Sequence, residues 1–281
     1  MRLELRQAVP PPMETQHTPA IAIVGAGPRL GLSIARVFGG HGFDVALISR
    51  AEDKLDALAA RLAADDITAA AFPADVLDPP ELTAALDQAA QRFDGIDVLE
   101  YSPAMRAHAP CMELADVLQV TPENVQPQIE FYLYGVVAAV HAVLPGMLAR
   151  GRGSLLVTTA GSSVIPQPAF GNYAIAGAAV RNWVLGLNKA LACLGIYAGH
   201  VAINHWTGAP APEDDPRASP DDLASLYWDL YTNRDRPEYV VIDSSPARVS
   251  PRLRDDRRGT AGGSLYAAAV ARRRAPYRMF R

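Results

Sequence analysis

A glycine-rich turn is the first segment whose residue types and spacing could do chemistry. Gly25, Gly27 and Gly31 lie in the run VGAGPRLG, between an apolar segment and a helical pattern that begins at Leu30. Gly25 allows a sharp turn, Gly27 lets the backbone approach a pyrophosphate, and Gly31 permits close packing of helix on strand. The helix N-terminus offers N–H groups and a positive dipole end to phosphates. The segment predicts a dinucleotide site, and a tight turn without a ligand is the alternative.

The elements that must position this turn alternate regularly along the chain. Apolar runs predict strands at 20–24, 44–49, 68–72, 96–99, 155–159, 197–203 and 239–242. Helical patterns fall at 30–41, 53–64, 81–93, 123–149, 173–194 and 222–232. This alternation predicts an α/β fold, a Rossmann-type doubly wound parallel sheet forming a single domain over residues 19–243. The aromatic residues of helix 222–232 either cover a substrate pocket or dock that helix on the core.

Composition and charge exclude several classes of protein. Apolar residues make up 49% of the 281 residues, which fits a globular protein and excludes bulk disorder. Two cysteines cannot build a disulfide framework, and no cluster of metal ligands is visible. We expect no membrane segment, because the longest apolar stretch, 131–148, is too short to span a bilayer. The N-terminus lacks the apolar run of a signal peptide, so a cytoplasmic protein is expected.

The two ends of the chain differ from its middle. Residues 1–18 contain three consecutive prolines and no periodicity, which predicts a loose arm. Residues 244–281 contain ten arginines and only two aspartates. Such a basic tail can fold over an acidic body or partner subunit. Binding of nucleic acid is the less favoured alternative, because the net charge of the chain is −4.

Several motifs beyond the glycine turn can be compared with known families. Asp75-Val76, the run 96–99 (IDVL) and the run 143–147 (VLPGM) follow the turn along the chain. With these motifs the chain resembles the short-chain dehydrogenase/reductase family over residues 20–243. The usual loop of that family is TGxxxGxG: Gly25 and Gly31 match its first and third glycines, and Arg29 stands at its second. The resemblance implies a nicotinamide dinucleotide, a small-molecule substrate and a homo-oligomer formed through the long helices.

The residue after the second strand indicates which dinucleotide is bound. A carboxylate there would bind the ribose hydroxyls of NAD, whereas this strand ends in Ser49-Arg50. A guanidinium suits the 2′-phosphate of NADP, so NADP(H) is expected, with Arg29 as a second nearby cation. The resemblance places the other cofactor contacts beside the glycine turn and at later strand ends. They are Leu30, Asp75, Val76, Ser102 and Ile203.

The resemblance also implies a set of catalytic positions, and here the sequence departs from the family pattern. The family's proton-transferring tyrosine corresponds to Tyr173, but the lysine expected four residues later is Gly177. The family's serine position holds Ala160, and Ser162 follows closely enough for a shifted loop to restore a hydroxyl. The asparagine of the long helix corresponds to Tyr132. The catalytic candidates are therefore Tyr173, Ser162 and Tyr132.

The missing lysine changes which reaction direction is accessible. Lys189 lies sixteen residues beyond Tyr173, about 24 Å along a helix, and the only other lysine is Lys54. A tyrosine near its ordinary pKa of about 10 stays protonated at neutral pH. It can donate a proton during reduction but is a poor base for alcohol oxidation. Arg181, two helical turns past Tyr173, could stabilise an oxyanion.

Three functions remain open at this point. The first is an NADP(H)-dependent reductase of a carbonyl, imine or activated alkene on a small apolar or planar metabolite, with Tyr173 as proton donor. The second is a non-redox catalyst on the same scaffold, such as a cyclase, dehydratase or isomerase. The third is a non-catalytic protein that binds NADP(H). Fold alone does not decide between them.

Overall fold

The computed structural model describes residues 17–104, 112–203 and 219–241, and its centre is one parallel sheet. The seven strands are β1 (Ala20–Val24), β2 (Asp44–Ser49), β3 (Ala69–Pro73), β4 (Val98–Tyr101), β5 (Gly153–Ala160), β6 (Ile196–Ile203) and β7 (Glu238–Val241). Their order across the sheet is β3-β2-β1-β4-β5-β6-β7, with every neighbouring pair parallel. The order reverses between β1 and β4, and ligands of such sheets bind at that switch point. The predicted Rossmann-type fold is confirmed.

Helices connect the strands and cover both faces of the sheet. They are α1 (Leu30–Gly40), α2 (Glu52–Ala64), α3 (Pro79–Arg92), α4 (Pro122–Gln128), α5 (Gly135–Arg150), α6 (Gly171–Leu191) and α7 (Pro220–Asn233). The predicted single helix 123–149 is wrong in detail, because a π-helical segment, Ile129–Tyr134, separates α4 from α5. Pro127 precedes this segment and has no N–H to donate to an α-helical ladder. Single π-turns in helices are frequent at functional sites.

The core consists of two apolar layers because side chains of a strand alternate between its faces. Residues such as Val24, Leu99 and Val157 pack against α3, α5 and α6 on one face. Residues such as Ile23 and Leu156 pack on the other face with α1, α2 and α7. Both faces are covered, which explains why the strands are continuous apolar runs.

Helix α7 uses its aromatic residues for docking. Trp228 and Tyr231 contact Phe38 of α1 edge-on, with ring centroids 5.3 and 5.6 Å away. Trp228 also stacks on His41 at 3.7 Å. Of the two interpretations given above for this helix, the described contacts support docking on the core.

The segment from Pro122 to Arg150 is long and apolar enough to cross a membrane by length and composition alone. In this structure its Val136, Val140 and Met147 are buried in the layer that also contains α3 and the sheet. Core helices of globular proteins have the same composition, so the segment is accounted for by the fold.

Candidate active site

The glycine turn crosses the carboxyl edge of the sheet in the conformation that its sequence predicts. Gly25 has φ +96°, a left-handed value, and a Cβ there would lie 2.6 Å from the backbone of Pro103. The N–H groups of Gly25 and Ala26 both donate to the carbonyl of Ile48, at 2.9 and 3.0 Å. The turn is therefore fixed between the ends of β1, β2 and β4, and only glycine fits at its first position.

The other two glycines have different functions: Gly31 allows α1 to pack closely on the turn, and Gly27 leaves backbone accessible to a ligand. A Cβ at Gly31 would lie 3.1 Å from the Cα of Ala26, so α1 packs tightly on the turn. A Cβ at Gly27 would meet nothing closer than the Gly25 carbonyl at 3.8 Å. Gly27 thus leaves bare backbone facing open space in front of the N-terminus of α1, where Leu30 is buried. This is a cradle that a pyrophosphate can fill, so the residues present fit a dinucleotide.

The residues expected at the adenosine end lie after β2 and β3. Arg50 follows the last residue of β2 and is exposed, as is Arg29 at the start of α1. Asp75 begins a short turn in which its carboxylate accepts the Leu77 N–H at 3.1 Å. Val76 is buried, and its carbonyl faces Gly135 of α5. These positions share the edge of the sheet with the glycine turn, on the β2–β3 side of the switch point.

The residues expected at the nicotinamide end lie after β4, β5 and β6. Ser102 follows β4, and its N–H donates to the Val24 carbonyl at 2.9 Å, which holds it beside the glycine turn. Ile203 is the last residue of β6 and pairs with Ala160 of β5. Ser162 is buried in the short turn after β5. The structure therefore brings both groups of predicted residues to one edge of the sheet. The residues after β2 and β3 lie on one side of the switch point between β1 and β4, and the residues after β4, β5 and β6 lie on the other.

Tyr173 is buried with its hydroxyl fixed. The backbone N–H of Ala160 donates to Tyr173 Oη at 2.6 Å, so the phenol oxygen accepts one bond and keeps its own proton to donate. Burial raises the pKa of Tyr173 to about 12, and the Ala160 N–H opposes that rise. The phenol is therefore protonated at neutral pH. Ala160, which stands at the family's serine position, acts here through its backbone.

The π-helical segment places a second tyrosine against the first. The rings of Tyr132 and Tyr173 meet edge-on, with centroids 4.8 Å apart. Burial is the main cause that raises the pKa of Tyr132 well above its ordinary value, and the neighbouring Tyr173 raises it further. Tyr101 donates to the carbonyl of Phe131 at 3.3 Å. Tyr132 thus forms an aromatic wall beside the ring of Tyr173.

Ser163 and not Ser162 belongs to a continuous hydrogen-bonded chain in this region. Ser163 Oγ bonds Thr159 Oγ1 at 2.7 Å, and Thr159 Oγ1 bonds Nε2 of His200 at 2.8 Å. His200 Nδ1 lies 2.9 Å from a carboxylate oxygen of Glu238. Sequence reasoning missed this chain; the signal was a histidine inside the apolar run of β6.

Arg181 is paired with Glu238 and is not left for the oxyanion-stabilising role that its spacing from Tyr173 suggested. Its guanidinium forks onto both carboxylate oxygens of Glu238, at 2.6 and 2.8 Å. These bonds lower the pKa of Glu238 and keep it ionised. Burial lowers the pKa of His200, outweighing the opposing effect of Glu238, so the imidazole is largely neutral at pH 7.

Asn172, the residue before Tyr173, connects α6 to a separate segment of the chain. Its carbonyl oxygen accepts the N–H groups of Ala115 and Tyr173, both at 2.9 Å. Its amide nitrogen donates to the carbonyls of Glu113 and Asn124, at 2.9 and 3.0 Å. The side chain is fully buried and uses all four of its hydrogen-bonding sites. Sequence reasoning missed it, because nothing in the sequence pairs residue 172 with 113–124.

A buried carboxyl lies under the switch point on the opposite face of the sheet. Glu100 of β4 accepts bonds from Ser102 Oγ at 2.9 Å and Thr158 Oγ1 at 3.2 Å. Thr158 in turn bonds the hydroxyl of Tyr227 at 2.6 Å. Burial raises the pKa of Glu100 from 4.5 to about 8, although the two hydroxyl bonds lower it. The carboxyl is therefore mostly protonated at neutral pH.

Glu100 makes stability fall as the pH rises. Between the unfolded pKa of 4.5 and the folded pKa of about 8, the native state holds a proton that the unfolded state has lost. We expect the free energy of unfolding to decrease by up to about 1.4 kcal/mol per pH unit in this window. Glu100→Gln should flatten the dependence measured by urea titration from pH 5 to 9. Glu52→Gln, at an exposed site on α2, should leave it unchanged, and an unflattened Glu100→Gln profile would contradict the assignment.

Comparison with known proteins agrees with this geometry. A family model described as short chain dehydrogenase matches residues 19–205. A fatty acyl-CoA reductase of Mycobacterium tuberculosis is 26% identical over 236 residues, covering 83% of this chain and 76% of that protein. An uncharacterized oxidoreductase of Staphylococcus aureus is 28% identical over 239 residues, covering 83% and 99%.

Solved structures show the same fold. L-sorbose reductase from Gluconobacter frateurii, complexed with NADPH and L-sorbose, has a TM-score of 0.67 at 20% identity and covers 80% of this chain and 95% of its own. Gluconate 5-dehydrogenase from Burkholderia cenocepacia, with NADP and tartrate, has a TM-score of 0.67 at 24% identity and covers 80% and 93%. Together with the glycine turn and the strand order, the match of the family model over most of the chain establishes that this protein belongs to the short-chain dehydrogenase family of oxidoreductases.

Proposed function

We propose that the protein is an NADP(H)-dependent reductase that acts on the carbonyl, imine or activated alkene of a small apolar or planar metabolite. One observation carries the direction of the reaction: the hydroxyl of Tyr173 is buried, accepts the Ala160 N–H and has its pKa raised to about 12. Such a phenol is protonated at neutral pH and can give its proton to a developing alkoxide, which is the stronger base, whereas the tyrosinate that would take a proton from an alcohol is scarce. The aromatic wall of Tyr132 supports the apolar character of the substrate.

The residues at the carboxyl edge of the sheet indicate how the cofactor would be bound. Gly25, Gly27, Leu30 and Gly31 would hold the pyrophosphate, and Arg50 with Arg29 would face the 2′-phosphate. Asp75 and Val76 would contact the adenine, and Ser102 and Ile203 the nicotinamide end. Bound there, the reduced cofactor supplies the hydride. The residues of this chain orient the substrate oxygen, with Ser162 as the proposed orienting hydroxyl, and supply the proton from Tyr173. The NADPH and NADP complexes of the two fold neighbours support this choice of dinucleotide.

The preference for NADPH is testable at Arg50. Calorimetric titration of the wild type should show tighter binding of NADPH than of NADH. Arg50→Ala should weaken NADPH about 10- to 100-fold, the value of a charge-assisted hydrogen bond, and leave NADH nearly unchanged. Arg61→Ala, at an exposed site on α2, is the matched control. Equal losses for both cofactors in Arg50→Ala would contradict the assignment.

The redox reaction has its own test. The wild type should consume NADPH, followed by its absorbance, with at least one member of a panel containing 4-nitrobenzaldehyde, a long-chain fatty aldehyde and a 3-ketoacyl thioester. Binding of NADPH without consumption across the panel would favour the non-redox or non-catalytic alternatives. Absence of binding would remove the reductase altogether.

A further inference from the structure

The chain of polar side chains at Ser163 runs from the floor of the site to the surface. Its three links join Ser163 to Thr159, Thr159 to His200, and His200 to Glu238, over distances of 2.7, 2.8 and 2.9 Å. Ser163, Thr159 and His200 are buried. The side chain of Glu238 is 20% exposed, and the side chain of its partner Arg181 is 33% exposed. The chain therefore has one dry end and one end that solvent reaches.

The dry end lies beside the proton donor. A Cβ on Gly177 would be 3.1 Å from Ser163 Cβ and 3.6 Å from Tyr173 Cε1, so both side chains border the same small space. Cε1 is the ring carbon next to the one that bears the hydroxyl. Gly177 is the position at which the family resemblance expects a lysine, and here Ser163 fills that space. A polar chain thus ends where a cation was expected.

Tyr173 needs a source of protons in every turnover. A reduction that takes its proton leaves a buried tyrosinate, which must be protonated again before the next cycle. The Ala160 N–H stabilises the phenol oxygen but has no proton to give. Neither lysine of the chain lies near, since Lys189 is sixteen residues further along the sequence. Among the described residues, a chain of hydrogen bonds runs from Ser163, which borders the same space as the Tyr173 ring, to the partly exposed Glu238.

We propose that Ser163, Thr159, His200 and Glu238 form a proton relay that reloads Tyr173 from the solvent at the edge of β7. This inference rests on the proposed reductase function. Breaking of the Tyr173 O–H bond protonates the product oxygen. Ser163, turned about its Cα–Cβ bond, then passes its proton to the phenolate. Thr159 reprotonates Ser163, and the imidazolium form of His200, the minor form at pH 7, reprotonates Thr159 through Nε2. Solvent acid that enters beside Glu238 then protonates Nδ1 again as the remaining ring proton moves to Nε2, so one solvent proton is consumed for each product.

The groups around His200 define its pH behaviour. Glu238 faces it from β7, Arg181 stands behind Glu238 on α6, and Thr159 faces it from β5. Burial lowers the pKa of His200, so the protonated form is scarce at pH 7 and more abundant in acid. Where reloading limits the rate, kcat should rise as the pH falls.

The decisive variant is Thr159→Val, which removes the central hydroxyl while keeping the shape of the side chain. With a carbonyl from the panel that the wild type reduces, we expect kcat to fall about 100-fold, typical of a lost acid–base group. The dissociation constant of NADPH should stay unchanged. Because the internal route is cut, added imidazole buffer at fixed pH and ionic strength should restore much of the rate. Thr158→Val, the neighbouring hydroxyl on the other face of β5, should show no such response to buffer.

The possible outcomes distinguish a failure of the relay from a failure of the proposed reductase function. Wild-type kcat in Thr159→Val, or a reduced kcat that buffer does not restore, overturns the relay and leaves the reductase standing. If the wild type itself consumes no NADPH with any panel member, the proposed function fails and the relay fails with it. If Thr159→Val does not fold, Glu238→Gln at the partly exposed end decides. Its kcat should be lower and restored by the same buffer, and an unchanged kcat overturns the relay.

Discussion

Replacing Tyr173 with phenylalanine should lower the rate of NADPH-dependent reduction about 100-fold or more, the usual range for a lost general acid. The expected loss lies in kcat, because the hydroxyl acts on the product oxygen and not on the cofactor. Loss of the acceptor for the Ala160 N–H should cost about 1 kcal/mol of folding free energy, which is too little to unfold a domain of this size. Absorbance assays of kcat, combined with calorimetry of NADPH binding, separate the two effects.

Tyr134→Phe is the matched control, because its ring is about half exposed on the same wall-forming segment. It should change neither kcat nor cofactor affinity. The raised pKa of Tyr173 adds a second readout. Because that pKa is about 12, the rate of the wild type should show no loss from tyrosine ionisation below pH 10. Full activity in Tyr173→Phe would remove this residue as proton donor and return weight to the non-redox alternative.

Replacing Asn172 with alanine should have the largest effect on stability. The side chain bonds four backbone groups, two N–H donors and two carbonyls, and the variant removes their partner; the bond to the Tyr173 N–H is buried and the other three are partly buried. Each unpaired buried group costs about 1–3 kcal/mol, and water entering the new space offsets part of that cost. We expect a total loss of roughly 3–5 kcal/mol, or a fall in Tm of about 10 °C. Thermal and urea unfolding measure it.

The control for Asn172 lies on the same helix. Asn188 makes one bond through its side chain, to the carbonyl of Ala198 at 2.8 Å, and is half-buried. Asn188→Ala should cost about 1 kcal/mol. Asn172→Ala should also lower kcat, since the amide oxygen holds the Tyr173 N–H and joins segment 112–121 to α6. Equal losses in the two variants would mean that the four bonds of Asn172 do not form together in solution.

The sequence by itself determined the fold and the glycine turn at which we propose that a dinucleotide binds. Apolar runs alternating with helical patterns specify a parallel sheet, and the glycines at 25, 27 and 31 specify a turn that only small residues can form. Strand ends of a parallel sheet meet at one edge. Arg50 was therefore predicted at that edge from the end of the second strand, whereas Asp75, Ser102 and Ile203 were predicted from the resemblance to the family. These features depend on near neighbours in the chain, which is why they are readable.

Only the tertiary structure decided the surroundings of the residues that we propose for catalysis. Thr159 and His200 are 41 residues apart, and His200 and Glu238 are 38 apart. Parallel strand pairing brings these three into contact, and no local pattern encodes that meeting. The same holds for Asn172 with residues 113–124, and for Glu100, whose pKa depends on burial beneath Tyr227. The π-helical segment also depends on packing around Pro127 and Tyr132. A group's chemistry follows from its surroundings, and distant parts of the chain supply those surroundings.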